Sequence, residues 1–269
     1  HLEIAKPSLV LTDNDTFIPD QYNFVEINDL FFDKLENDNI KHKFEYCSND
    51  IFCLTFTSGT TSKSKAVFHY AEAIIENADQ FNKFTNTSSK ERMLHLMPIY
   101  YIAGILNTVI CPFVAGNTII INSIDSPKIL LSFWAIIKDY CITLTWLSPT
   151  MIESIYMLDR NHNKDSNHHN LKIFVGTAPL KPSTTDKFEK KYTVKLLQSY
   201  GLSELLLIST NLHGSDNSTN SVGRLLPNID IEIRKEGKIF VKTPYKLAYH
   251  IEDGTKSYFS EPSEYFDTG

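Results

Sequence analysis

Short, almost wholly apolar runs alternate along this chain with longer segments whose apolar residues recur every three or four positions. Residues 8–12, 51–57, 93–97, 117–121, 142–147, 171–175 and 194–200 are β-branched, aliphatic or aromatic runs bounded by polar or turn-forming residues, and they predict strands, mostly buried. The segments between them predict helices. One covers 70–84, with Ala73, Ile74, Asn77, Ala78 and Phe81 on one face, and others cover 102–114, 127–140, 151–159 and 181–191. Ser148-Pro149-Thr150 supplies a cap to the fourth of these, with the proline suited to a first turn. Residues 14–49 are polar and acidic and read as a linking region with room for a short helix around 29–36. Strands alternating with helices predict an α/β fold, a mostly parallel sheet flanked by helices.

The pattern changes near Gly223. Ile229-Asp230-Ile231-Glu232-Ile233 alternates strictly, Glu236-Gly237 turns the chain, and residues 238–242 return. That is an antiparallel hairpin, expected to belong to a smaller β-rich lobe. The expected division is therefore an α/β core over 1–222 and a β-rich unit over 223–269. Both ends read as cut: the chain opens in a helix-to-strand passage and stops in mid-turn at Tyr265-Phe266-Asp267-Thr268-Gly269.

Composition removes several classes. With 269 residues, 42% hydrophobic and 22% charged, the chain can bury a sizeable core. A formal charge of −6 gives no basic field for a phosphate backbone, so no nucleic-acid partner is expected. No run approaches the roughly 20 apolar residues of a membrane span; the longest oily stretch, 99–114, is broken by Gly104, Asn107 and Pro112. The four cysteines lie far apart, and Cys53, Cys111 and Cys141 sit in apolar stretches. Buried free thiols are expected there, as in a reducing cytoplasm, in place of disulfides or a metal site.

Three loops carry candidate chemistry. Thr57-Ser58-Gly59-Thr60-Thr61-Ser62-Lys63-Ser64-Lys65 follows a predicted strand. Hydroxyls and backbone N–H groups around a glycine can cradle phosphate oxygens, and a lysine adds charge. The spacing is not that of a P-loop, and a solvated turn between strand and helix is the plain alternative. Gln198-Ser199-Tyr200-Gly201-Leu202-Ser203-Glu204 also ends a strand, where ligands collect in open α/β sheets. There an aromatic can stack on a base, a hydroxyl can reach a phosphate and a carboxylate can hold Mg²⁺; the alternative is a strand-to-helix turn with a capping glutamate. Val175-Gly176-Thr177-Ala178-Pro179-Leu180 occupies a similar position, its small residues letting a flat ring approach the backbone.

Taken in order, these loops resemble the adenylate-forming superfamily of acyl-CoA synthetases, nonribosomal-peptide adenylation domains and luciferases. Residues 57–65 are similar to its hydroxyl-rich loop, 176–180 to its Gly-Gly-Ala-Pro-Leu element and 200–204 to its Tyr-Gly-x-Thr-Glu. Met97-Pro98-Ile99-Tyr100-Tyr101-Ile102-Ala103-Gly104 resembles Leu-Pro-x-x-His-x-x-Gly, and Ser221-Val222-Gly223-Arg224-Leu225-Leu226-Pro227 resembles Ser-Val-Gly-x-Pro-x-Pro. The final residues 265–269 resemble the start of Tyr-x-Thr-Gly-Asp.

The resemblance implies ATP-dependent conversion of a carboxylic acid to an acyl-AMP and transfer to a thiol, coenzyme A first. Loading of a carrier protein by an aryl- or amino-acid adenylation domain, or a non-catalytic nucleotide-binding homologue, are the alternatives. It implies nucleotide contacts from Thr57, Ser58, Gly59, Thr60, Thr61, Lys63, Gly176, Thr177, Ala178, Pro179, Ser199, Tyr200, Gly201, Leu202 and Ser203. Thr57, Lys65 and Glu204 would be catalytic, Glu204 would hold Mg²⁺, and Tyr101 and Gly104 would border the acid. It further implies an N-terminally truncated core, the start of a distorted barrel from residue 223, and a missing mobile C-terminal domain with its lysine. Ser62, Ser64 and Ala66 stand where the family has glycine, proline and glycine, which implies a stiffer loop. Tyr101 replaces a histidine, implying an altered acyl or thiol channel.

Overall fold

A computed structural model describes residues 1, 5–8, 10–12, 18–19, 21–26, 47, 50–58, 64–122, 128–159, 170–215, 217–218, 220–245, 247–252, 254–258 and 264–268. The expected helix around 29–36 and the loop residues Gly59, Thr60, Thr61, Ser62 and Lys63 lie outside the described residues. A short parallel pair, β1 (Val10–Thr12) and β2 (Phe24–Glu26), precedes the main body. The body holds β3 (Ile51–Ser58), β4 (Ser64–Tyr70), α1 (Ala71–Phe84), β5 (Arg92–His95), α2 (Ile102–Ile105), a π-helical turn (Leu106–Ile110), α3 (Cys111–Ala115) and β6 (Thr118–Ile121). Then come α4 (Lys128–Leu131), α5 (Phe133–Asp139), β7 (Leu144–Leu147), α6 (Pro149–Leu158), β8 (Lys172–Val175), α7 (Pro182–Tyr192), β9 (Leu196–Leu202) and β10 (Leu206–Thr210). The C-terminal stretch adds β11 (Arg224–Leu225), β12 (Asp230–Ile233), β13 (Ile239–Lys242), β14 (Tyr249–Glu252), β15 (Thr255–Tyr258) and β16 (Phe266–Asp267).

The central sheet runs β11-β10-β9-β8-β7-β5-β6, parallel from β6 through β9, with β10 and β11 added antiparallel. Its inner strands are buried on both faces, which is why β7 (Leu-Thr-Trp-Leu) and β8 (Lys-Ile-Phe-Val) read as near-continuous apolar runs. Phe81 of α1 meets Trp146 and Phe174, paired neighbours on β7 and β8, and so lays α1 over that sheet face. Asn77 fixes its register: its side chain both donates to Leu207 O and accepts from Leu207 N on β10, at 2.9 and 3.1 Å. Tyr192 joins α7 to α5 through Trp134 and to α6 through a hydrogen bond to Ile155 O. Smaller antiparallel sheets, β15-β14-β4-β3 and β12-β13-β16, complete the mixed α/β fold.

Local readings needed correction in four places. No helix follows the hydroxyl-rich loop directly: residues 64–70 form β4, a hairpin with β3. That strand was hidden because Ala66, Val67 and His69 are all buried, so no polar/apolar alternation marks it. The first strand of the hairpin is less buried than predicted, with Ile51 and Phe52 exposed, because it is an edge strand. The expected helix over 127–140 breaks at Ser132, where ψ is 6°. Cys141 is exposed at a left-handed turn after α5, and Cys53 only half-buried, whereas Cys111 is buried.

Candidate nucleotide site

Folding brings the hydroxyl-rich hairpin onto the Tyr-Gly-Leu-Ser-Glu turn. Lys65 is the second residue of β4, paired in register with Thr57 of β3. Its ammonium group donates to Glu204 Oε1 at 3.0 Å, across 139 residues of sequence. Each side chain is 16% exposed, so the pair is shielded well beyond an ordinary surface ion pair. Glu204 lies in the three-residue turn between β9 and β10, and its carbonyl accepts from Leu247 N. The strand-to-helix turn with a capping glutamate is excluded, since the chain passes from strand to strand.

The fold demands one of the two glycines of these loops and not the other. A Cβ on Gly201 would lie 2.4 Å from Leu206 O, so β10 can fold back on β9 only with glycine there. Gly176 is different. A Cβ there would meet Trp146 Cζ3 at 3.5 Å and Ser199 O at 3.7 Å, ordinary contacts. The fold itself therefore does not require a glycine at 176. The nearness of Ser199 O sets the loop after β8 beside the carboxyl-terminal half of β9. Thr177 next to it has φ 74°, a rare conformation for a β-branched residue, and Thr177, Ala178 and Pro179 are all exposed. Ser199 Oγ shares a 2.6 Å hydrogen bond with Thr210 Oγ1, while Tyr200 and Leu202 pack half-buried against the core.

Two histidines that motif reading passed over lie under this site. Val67 pairs with Thr55 on one side and His250 of β14 on the other, and side chains two residues apart on β4 share a face. Lys65, His69, Thr55 and His250 thus share the sheet face bearing the ion pair. His69 is 0% exposed, lies against the Ser203 backbone, and neither ring nitrogen makes a hydrogen bond of ordinary geometry. Burial holds it neutral, down to about 4, with the Ser203 backbone offsetting part of the shift. Burial first, and Lys65 second, also lower His250, against a partial pull upward from Glu204 and Glu252. Both rings are therefore uncharged near neutral pH.

The expected acid-side residues lie on the segment that follows β5. Tyr101 is half-exposed beside Tyr100, their rings 4.6 Å apart, and precedes α2. Gly104 is buried within α2. Thr57 ends half-buried on β3, and of Ser58 only the backbone is described. Among the described residues no helix is long and apolar enough to cross a membrane.

A mixed α/β fold in which the Lys65–Glu204 pair and the left-handed Thr177 turn follow the strands of a mostly parallel sheet places these loops where open α/β sheets collect their ligands. The chain belongs to the AMP-binding enzyme family, whose family model matches residues 6–244. It is 23% identical over 261 residues to a probable CoA ligase, CCL8, of Humulus lupulus, covering 87% of this chain and 43% of the relative. It is 25% identical over 247 residues to a malonate–CoA ligase of Arabidopsis thaliana, covering 82% and 40%. The chain therefore spans about two fifths of the length of these relatives. Its fold is that of ATP-bound MatB from Rhodopseudomonas palustris, with a TM-score of 0.78 at 18% identity over 93% of this chain and 53% of that one.

Proposed function

We propose that this chain is the nucleotide-binding part of an ATP-dependent acid–thiol ligase, forming an acyl-AMP and passing the acyl group to coenzyme A. The observation that carries the reading is the 3.0 Å pairing of Lys65 with Glu204, which unites two sequence motifs at one point. A shielded cation and a shielded anion, each the other's partner, suit a ligand that brings both charges: polyphosphate for Lys65 and its magnesium for Glu204. Gly176 to Pro179 and Tyr200 would flank the adenine, with Leu202 and Gly201 backing it. Ser199 and Ser203 would contact the sugar-phosphate, and residues 57–63 would wrap the phosphates. Tyr101 and Gly104 would border the acid. The division at residue 223 and a cytoplasmic location belong to the same proposal.

Among the described residues no three His, Cys, Asp or Glu side chains converge into a metal cage. One carboxylate is nevertheless what magnesium requires when it keeps waters and takes phosphate oxygens as its other ligands, so Glu204 fits. Bound there, magnesium would supply neutralisation of phosphate charge. Lys65, released from Glu204, would balance the negative charge that grows when the acid's carboxylate oxygen attacks the α-phosphorus and pyrophosphate leaves. A thiol sulfur would then attack the acyl carbon and expel AMP.

The names of the relatives favour coenzyme A over a carrier protein as the thiol. Thioester formation followed with coenzyme A and with a phosphopantetheinylated carrier in parallel tests this choice. Transfer to the carrier alone would refute it.

A further inference from the structure

A second polar constellation sits at the carboxyl end of β5, away from the lysine–glutamate pair. His95 ends that strand half-buried, and its Nδ1 is 2.6 Å from Thr108 Oγ1 in the π-helical turn. Thr108 is fully buried, and its hydroxyl donates to Gly104 O at 2.5 Å. A carbonyl only accepts, so the single hydroxyl proton is committed to Gly104. The Thr108 oxygen can then only accept from His95, and Nδ1 must carry the ring proton. The tautomer is thereby fixed, and Nε2 holds the lone pair.

The helix that follows is built to hold this geometry. A Cβ on Gly104 would lie 1.9 Å from Pro98 O, so α2 packs directly on the Pro98–Tyr101 turn. Cys111 N bonds to Leu106 O, five residues back, and the widened turn carries Thr108. Such turns cost backbone regularity and are frequent at functional sites. Gly104 and Tyr101 are the residues assigned above to the border of the acid pocket, and the inference rests on that reading.

We propose that His95 is a specificity-determining residue of the acid pocket. Locked by Thr108 through Nδ1, it presents the Nε2 lone pair to the tail of the acid and selects acids bearing a hydrogen-bond donor there, such as a hydroxyl group. Burial lowers its basicity, so the ring stays neutral near pH 7 and acts as an acceptor, not as a cation for a second carboxylate. A site that accepts from a substrate hydroxyl discriminates against the methyl isostere, because the isostere leaves a desolvated acceptor unpaired.

The test is pyrophosphate release with ω-hydroxy acids against alkyl acids of equal chain length. At one length the wild-type protein should favour the hydroxy acid in kcat/KM by at least about fivefold. His95→Asn keeps an amide N–H close to the Nδ1 position but has no counterpart of Nε2; it should bring the ratio close to one, with the KM for ATP unmoved. Thr108→Val removes the hydroxyl that fixes the tautomer and should lower the ratio, while Thr108→Ser should restore it. If His95→Asn does not fold by thermal melting, the Thr108 pair decides. A wild-type preference for the alkyl acid at every length, or a ratio unchanged in His95→Asn and Thr108→Val, overturns the inference alone. Absence of pyrophosphate release with any acid overturns the proposed function and this inference with it.

Discussion

Replacing Glu204 with glutamine separates the structural from the catalytic use of one carboxylate. The substitution preserves volume and keeps an Oε1 acceptor within reach of the Lys65 ammonium, 3.0 Å away in the wild type. What disappears is the negative charge beside a lysine that is 16% exposed. The ammonium still donates a charge-assisted hydrogen bond to the amide oxygen and only the attraction between the two charges is lost, so the expected destabilisation is about 1 kcal/mol. For a chain of this size that lowers Tm by roughly 2–4 °C. Catalysis should suffer far more. Loss of one group that stabilises transition-state charge lowers kcat about 100- to 1,000-fold. Differential scanning fluorimetry and a pyrophosphate-release assay on the same preparations, with magnesium titrated, measure both. Normal turnover with normal magnesium dependence would refute the assignment of Glu204. A Tm loss above about 10 °C would show that the residue is chiefly structural.

Gly176→Ala should leave Tm within about 2 °C, since the added Cβ meets only ordinary contacts, yet weaken ATP binding measured by calorimetry; unchanged affinity would remove adenine from that loop. Gly201→Ala should cost more than about 2 kcal/mol in chemical denaturation, because its Cβ would sit 2.4 Å from Leu206 O; a stable variant would contradict the described turn. His69 is neutral in the fold down to about 4, against an ordinary 6.5, so the unfolded chain binds the extra proton between those values. Its stabilising effect is complete above about pH 6.5 and is lost as pH falls toward 4, about 2 kcal/mol between pH 7 and 5. Urea midpoints of the wild type and His69→Leu at both pH values check the sign, which fails if acid weakens both equally.

The sequence was most legible where one element's own residues decide its structure. Asn77 and Phe81 revealed the inner face of α1, and Asp230 to Ile233 the hairpin with β13, because each repeats at its element's period. Strand β4 was illegible for the opposite reason: Ala66, Val67 and His69 are buried through contacts on both faces, and no period survives. The candidate site divides in the same way. Gly176, Tyr200 and Glu204 stand in recognisable loops, whereas the meeting of Lys65 with Glu204 and of His95 with Thr108 and Gly104 depends on packing between distant segments. Gly201 shows a mixed case: its place in a motif was evident, but the contact that demands glycine is with Leu206 O, set by the return of β10.

The proposed activation of an acid by ATP at the ends of these strands is tested most directly by incubating the protein with γ-labelled and α-labelled MgATP, with and without a panel of carboxylic acids, and resolving the nucleotide products. Pyrophosphate and AMP-linked acid should appear only when an acid is present and disappear in Glu204→Gln. Release of inorganic phosphate and ADP independent of any acid would contradict it.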